Sequence, residues 1–128
     1  KTKFDLGTLA SNITAQASYD NLNVVTVLTK ESLDYSQFPE AINFTRKLSD
    51  RPKNIYKHLG IYCYKLNTLE KFVSFNQSVN EIKYKLEQLR ALDNEIKINV
   101  AFAKSSPIGV DTKEDFVAIK KIMEYKSK

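Results

Sequence analysis

The sequence predicts an α/β protein with a mostly parallel or mixed sheet. Five segments show β-branched or alternating apolar and polar residues, which is typical of strands, and three show apolar residues at helical spacing. The predicted strands and helices are interspersed along the chain, which favours an α/β fold over an all-α or all-β one. With 128 residues, 42% of them hydrophobic and 27% charged, the chain is long enough for one domain with one core.

The predicted strands cover residues 8–13, 23–29, 41–46, 56–65 and 96–103. Residues 23–29 (NVVTVLT) are β-branched almost throughout, which predicts a strand buried on both faces. Gly60 interrupts the fourth strand, and a glycine there predicts a bulge or the close approach of a ligand. The basic segment 47–54, which contains a proline, is predicted to be a functional or mobile loop.

The predicted helices cover residues 67–75, 78–93 and 112–125. The longest begins with Ser78 and Glu81 in the spacing of a capping box. Each helix is expected to turn one apolar stripe toward the core. The stripes are Leu69, Phe72 and Val73 in the first helix, Val79, Ile82, Leu86, Leu89 and Leu92 in the second, and Phe116, Ile119, Ile122 and Met123 in the third.

Composition excludes several classes of function. No apolar run approaches the roughly 18 residues that a membrane helix needs, and the three glycines form no phosphate-binding glycine-rich loop. The single cysteine, Cys63, excludes an internal disulfide, and its apolar surroundings predict a buried, inert thiol. The net charge of +5 favours anionic ligands, although the scattered lysines also fit an ordinary solvated surface.

Three blocks of sequence resemble one enzyme family. They are KHLGIYCYK at 57–65, LEQLRAL at 86–92 and GVDTKED at 109–115, with weaker support from TLASNI, NVVTVLT and INFTR. In order and approximate spacing they resemble the CMP-Kdo synthetases, the 3-deoxy-manno-octulosonate (Kdo) cytidylyltransferases of lipopolysaccharide biosynthesis. The chain departs from the family pattern at Asn94-Glu95, where a glycine is usual, and at Lys113, where a proline is usual.

The resemblance implies a nucleotidyltransferase-type, Rossmann-like mixed sheet with flanking helices. This sheet is expected to be incomplete, because nothing here matches the family's N-terminal nucleotide-binding half and Lys1 is not an initiator methionine. Residues 1–128 are therefore expected to be a single partial domain for sugar binding and dimerisation. The implied parent enzyme is a cytoplasmic homodimer, and this chain without the missing half is expected to be inactive.

The implied reaction is attack of the anomeric hydroxyl of Kdo on the α-phosphate of CTP, which gives CMP-Kdo and pyrophosphate with Mg²⁺ as cofactor. The resemblance assigns Asp111 as the catalytic metal ligand. It assigns sugar contacts to His58, Tyr62, Glu87 and Gln88, and places an arginine for the sugar carboxylate at Arg46. His58 and Tyr62 are four residues apart on one strand, so both are expected on the same face.

Each assignment has a structural alternative. Asp111 could cap the last helix in a capping box with Glu114. A lone histidine such as His58 is often a structural group, and Tyr62 is expected to lie partly in the core in either case. Glu87 and Arg90, three residues apart on a helix, could simply pair with each other, and Arg46 could be an exposed strand residue.

Three other functions stay open at this stage. The chain could be a non-catalytic binding or assembly remnant of the enzyme, or part of a relative that acts on another acidic sugar. A basic nucleic-acid binder is less favoured, because the lysines form no dense block.

Overall fold

The computed structural model describes residues 4–13, 23–46, 52–104 and 110–127. Within these ranges the strands are β1 (Leu6–Ser11), β2 (Thr26–Thr29), β3 (Ala41–Thr45), β4 (Ile55–Tyr64) and β5 (Ile98–Phe102). The helices are α1 (Leu66–Ser74), α2 (Val79–Tyr84), α3 (Leu89–Asp93) and α4 (Lys113–Lys126). Residues 47–51 of the predicted basic loop and Gly109 of the third family block lie outside the described ranges. No described helix is long and apolar enough to cross a bilayer.

The five strands form one mixed sheet in the order β3-β2-β4-β1-β5. Strands β1 and β5 are parallel, whereas the other three pairs are antiparallel. Residues beside β3 also reach the outer edge of β5, where the Val100 N–H donates to the Pro39 carbonyl at 2.9 Å. The predicted α/β class with a mixed sheet is confirmed.

The core lies between one face of the sheet and the helices α1 and α3. On this inner face Leu6 and Ile98 are fully buried and pack in one cluster with Phe72 of α1 and Leu89 of α3. On the outer face, alternate strand residues line an apolar groove of about 310 Å³. Cys63 belongs to that groove and is exposed, so the prediction of a buried thiol is wrong.

The bulge predicted at Gly60 is present in β4. Thr8 of β1 pairs with Tyr62 and the next residue, Leu9, pairs with Leu59, so β4 carries two extra residues at this point. Because side chains alternate with a period of two, an extra pair leaves the faces unchanged. His58 and Tyr62 therefore lie on the same inner face, as predicted.

The predicted long helix at 78–93 is wrong in one respect, because it is broken into α2 and α3. Lys85 ends α2 in the left-handed conformation, with φ 56° and ψ 45°. The break turns the chain so that Leu86 and Leu89 reach the core, while Val79 and Ile82 remain 81% and 60% exposed. Burial of the later residues outweighs the helical propensity of the continuous stripe.

Two other predicted stripes are only partly correct. In α1, Phe72 is buried but Val73 is exposed. Helix α4 forms as predicted, yet none of its residues is buried, and Phe116 and Met123 of its stripe are more than half exposed. The apolar face of α4 is thus uncovered by the described part of the chain.

Candidate active site

His58 is the centre of a buried polar contact on the inner face of the sheet. Its Nε2 lies 2.8 Å from the Thr8 hydroxyl, which donates to the Ile61 carbonyl at 2.8 Å. A hydroxyl has one proton, and assignment of that proton to the Ile61 carbonyl places the imidazole proton on Nε2. Burial lowers the pKa of His58 to about 4, so the ring is neutral near pH 7. The unprotonated Nδ1 receives no hydrogen bond from a described residue, which leaves it as an acceptor for a ligand.

Tyr62 follows His58 in a row of aromatic side chains, with the ring centroids 5.6 Å apart. Burial is the main cause that raises the pKa of the Tyr62 phenol, and the nearby Tyr64 and Glu87 raise it further. The phenol is therefore protonated at any physiological pH. Its hydroxyl makes no hydrogen bond within the described ranges, so it can donate one to a ligand.

The turn between α2 and α3, residues 85–88, carries the next two predicted site residues. Glu87 is exposed and lies close enough to Tyr62 to raise its pKa, whereas Gln88 is buried at the start of α3. The side chain of Gln88 does not cap α3. Among the described residues, neither the Glu87 carboxylate nor the Gln88 amide has a hydrogen-bond partner. Both are thus available to a polar ligand.

Arg46 lies beside the same turn. Its Nη2 donates to the Lys85 carbonyl at 3.3 Å, so the arginine reaches across from the end of β3 to the end of α2. The structure therefore brings Arg46, His58, Tyr62, Glu87 and Gln88 into one region of the inner face. An open groove of about 510 Å³ borders this region, with Lys85 and Glu87 in its wall.

The alternative that Glu87 pairs with Arg90 is wrong. Arg90 instead donates from Nε and Nη2 to the two carboxylate oxygens of Glu81, at 2.9 and 2.6 Å. Glu81 also accepts from the Ser78 backbone N–H at 2.9 Å, which completes the predicted capping box. The bond from Arg90 is the main cause that lowers the pKa of Glu81. Sequence reasoning missed this pair because its members are nine residues apart across a break, a spacing that no helix would predict.

Asp111 lies at the start of α4 and does not cap it. The N-cap is Thr112, whose hydroxyl accepts from the Asp115 N–H at 3.1 Å, and the Asp115 carboxylate accepts from the Thr112 N–H at 3.1 Å. The alternative capping box of Asp111 and Glu114 is therefore wrong by one residue. The exposed Asp111 carboxylate makes no hydrogen bond to a described residue.

A free carboxylate in this position fits one ligand of Mg²⁺, which takes one or two protein carboxylates and fills its shell with water and phosphate oxygens. The described ranges contain no group of three residues that could hold a metal by themselves. No hydrogen bond or ion pair in these ranges joins Asp111 to the five residues around the turn. The described part of the chain thus brings five of the six predicted site residues together, and Asp111 makes no bond to them.

No protein-family model matches the chain. It is 41% identical over 122 residues to the 3-deoxy-manno-octulosonate cytidylyltransferase of Bartonella tribocorum, with 93% of this chain and 49% of the relative covered. The enzymes of the same name from Afipia carboxidovorans and Brucella ovis are each 38% identical, with 93% and 87% of this chain and 48% and 44% of the relative covered. The chain spans about half the length of these curated relatives.

The fold comparison agrees with the sequence comparison. The structure of a CMP:2-keto-3-deoxy-manno-octonic acid synthetase complexed with CTP superposes with a TM-score of 0.78 and 26% sequence identity. The superposition covers 96% of this chain and 50% of that one. In sequence and in fold, this chain is similar to about half of a 3-deoxy-manno-octulosonate cytidylyltransferase.

Proposed function

We propose that this chain is the C-terminal, sugar-binding part of an enzyme that couples CTP to Kdo and releases CMP-Kdo and pyrophosphate in lipopolysaccharide biosynthesis. The observation that carries the proposal is the cluster around residues 85–88. His58, Tyr62, Glu87 and Gln88 each direct polar atoms without a described partner into the region that Arg46 borders. All five are residues that the family resemblance had already assigned to the sugar.

The chemistry of the cluster suits a polyhydroxylated acid. The Tyr62 phenol donates, the Glu87 carboxylate accepts from sugar hydroxyls, and the Gln88 amide can do both. Arg46 supplies a cation for the sugar carboxylate, and a guanidinium matches a carboxylate with two parallel hydrogen bonds. Because His58 is neutral and offers Nδ1 as an acceptor, it adds a hydroxyl contact without a second positive charge.

In this proposal Asp111 holds Mg²⁺ through its free carboxylate. The ion supplies charge neutralisation at the phosphate oxygens when CTP is bound. The described residues contain no group of three His, Cys, Asp or Glu side chains that could complete a metal site, and the three glycines of the chain form no triphosphate-binding loop. We therefore assign both of those roles to the portion of the relatives that this chain does not cover.

The proposal includes a cytoplasmic homodimer as the parent enzyme. The uncovered apolar face of α4 supports assembly, because residues such as Phe116 and Met123 gain free energy when another surface covers them. Light scattering on the protein that carries this chain gives its mass. A monomer would contradict the dimer without affecting the sugar site.

The test of the sugar site uses two tyrosine-to-phenylalanine variants. Tyr62→Phe removes a hydroxyl without a described partner, so it should leave the melting temperature unchanged and weaken Kdo binding about tenfold, the equivalent of one hydrogen bond. Tyr56→Phe is the matched control, because the Tyr56 hydroxyl accepts from the Leu33 N–H at 2.9 Å. It should lower the melting temperature and leave Kdo binding unchanged.

Calorimetry with Kdo and pyrophosphate release from CTP and Mg²⁺ provide the readouts, on the protein that carries this chain. Equal loss of Kdo affinity in both variants would contradict the assignment of Tyr62. Stronger binding of a nine-carbon sugar acid than of Kdo would move the proposal to a relative with that substrate. Salt-dependent RNA binding without any Kdo binding would overturn it altogether.

A further inference from the structure

We propose that Arg90 is a positioning residue, which acts through Glu81 to hold the turn at residues 85–88 in the conformation that presents Glu87 and Gln88. The inference rests on the proposed function, since it assigns those two side chains to the sugar. It adds a residue that contacts no ligand and that neither the sequence pattern nor the relatives' names assign.

The turn needs an external restraint. Lys85 adopts a left-handed conformation, which costs roughly 1–2 kcal/mol for a residue with a β-carbon. The following helix α3 has five residues, and its N-cap, Gln88, makes no side-chain capping hydrogen bond. A helix this short does not persist on its own in water, because nucleation is unfavourable. Burial of Leu86 and Leu89 sets where the chain turns, and a contact that joins the two helices is needed to fix the direction in which Glu87 and Gln88 point.

The Arg90–Glu81 ion pair provides that restraint because it spans the turn. Glu81 is in α2, before the turn, and Arg90 is in α3, after it. The two side chains are 6% and 14% exposed and are joined by two hydrogen bonds, a geometry that fixes orientation as well as distance. The guanidinium also lies over the Phe72 ring, with its carbon 4.8 Å from the centroid, so the pair is anchored to α1.

The same contacts argue against a ligand role for Arg90 itself. Two of its three guanidinium nitrogens are bonded to Glu81 and one face of the group lies against Phe72. Glu81 is equally committed, since it accepts from Arg90 and from the Ser78 N–H. Both side chains also line the groove of about 510 Å³, but these contacts use most of their hydrogen-bonding capacity, so we assign their effect on the sugar to the turn that they enclose.

The experiment compares Arg90→Lys with the unmodified protein that carries this chain. Lysine keeps the charge but cannot make the two-point contact with Glu81. We expect the dissociation constant for Kdo to rise at least tenfold and amide exchange in residues 85–90 to become faster. Val27→Ala, in the buried core on β2, is the control for loss of stability alone. At a matched melting temperature it should change neither readout.

A second variant changes the other partner of the pair and is compared with the same stability control. Glu81→Gln retains an oxygen for the Ser78 N–H while it removes the charge that orients Arg90, and it should change both readouts in the same direction. The inference is overturned if Arg90→Lys and Glu81→Gln change the Kdo affinity and the exchange rates no more than Val27→Ala does at the same melting temperature. If the unmodified protein binds no Kdo, the proposed function fails. The exchange at residues 85–90 then decides the positioning role: selective acceleration supports it, and unchanged exchange overturns it.

Discussion

The neutral, buried His58 makes the stability of the fold depend on pH. In the unfolded chain its pKa returns to about 6.5, whereas in the folded chain burial holds it at about 4. Between these values the unfolded state binds more protons than the folded state, so stability falls as the pH falls from 6.5 to 4. Linkage gives a loss of about 2 kcal/mol between pH 7 and pH 5, which rises to roughly 3 kcal/mol below pH 4.

Urea unfolding at several pH values between 7 and 5 measures this loss, because the free energy of unfolding is extrapolated at each pH. His58→Gln is the comparison, since glutamine retains a donor for Thr8 and does not titrate. The free energy of unfolding of His58→Gln should therefore change little between pH 7 and pH 5. The carboxylates with lowered pKa values, Glu81 among them, lose their contribution only at lower pH, as they become protonated. Parallel profiles for the two proteins would refute a neutral, buried His58.

Other substitutions test the remaining contacts. Glu81→Gln should cost about 3 kcal/mol in urea unfolding because it breaks a largely buried ion pair; Asn80→Ala, which removes an exposed hydrogen bond to the neighbouring helix, should cost less than about 1 kcal/mol. A similar loss of unfolding free energy in Glu81→Gln and Asn80→Ala would contradict the idea that burial makes the ion pair the stronger contact. Thr112→Ala should cost about 1 kcal/mol as a lost N-cap, whereas Asp111→Asn should leave stability unchanged. Under the proposed function, Asp111→Asn should also raise the Mg²⁺ concentration that the protein carrying this chain needs for CMP-Kdo formation. Destabilisation by Asp111→Asn alone would return Asp111 to the role of cap.

Local patterns predicted much of the fold. The period of two placed His58 and Tyr62 on one face, and the prediction survived the bulge because an even number of residues was added. The capping box of Ser78 and Glu81 was also correct, because a cap depends only on residues within one turn. The alternative role of Asp111 as the α4 cap was wrong by one residue, because Asp111 and Thr112 both start an acceptable box and the sequence alone does not rank them.

Contacts between distant residues could not be predicted from periodicity. The break at Lys85 is set by the burial of Leu86 and Leu89 against the sheet, which outweighs a continuous helical stripe. The Thr8–His58 hydrogen bond joins residues fifty positions apart, and no local sequence pattern around either residue predicts it. The positions in the sugar cluster came from the family resemblance, and their arrangement around the turn came from the structure.

The bulge at Gly60 constrains how this segment can evolve in length. Removal of a single residue between Leu59 and Tyr62 would send the Tyr62 phenol to the outer face, away from His58 and the turn. Removal of two residues would restore a regular ladder and keep the phenol inside. A Cβ at Gly60 would meet no atom within 4 Å, so there is space for a side chain at this position. The number of residues in the bulge, by contrast, is constrained. Insertions and deletions among relatives that keep the sugar site should therefore occur here only in even numbers.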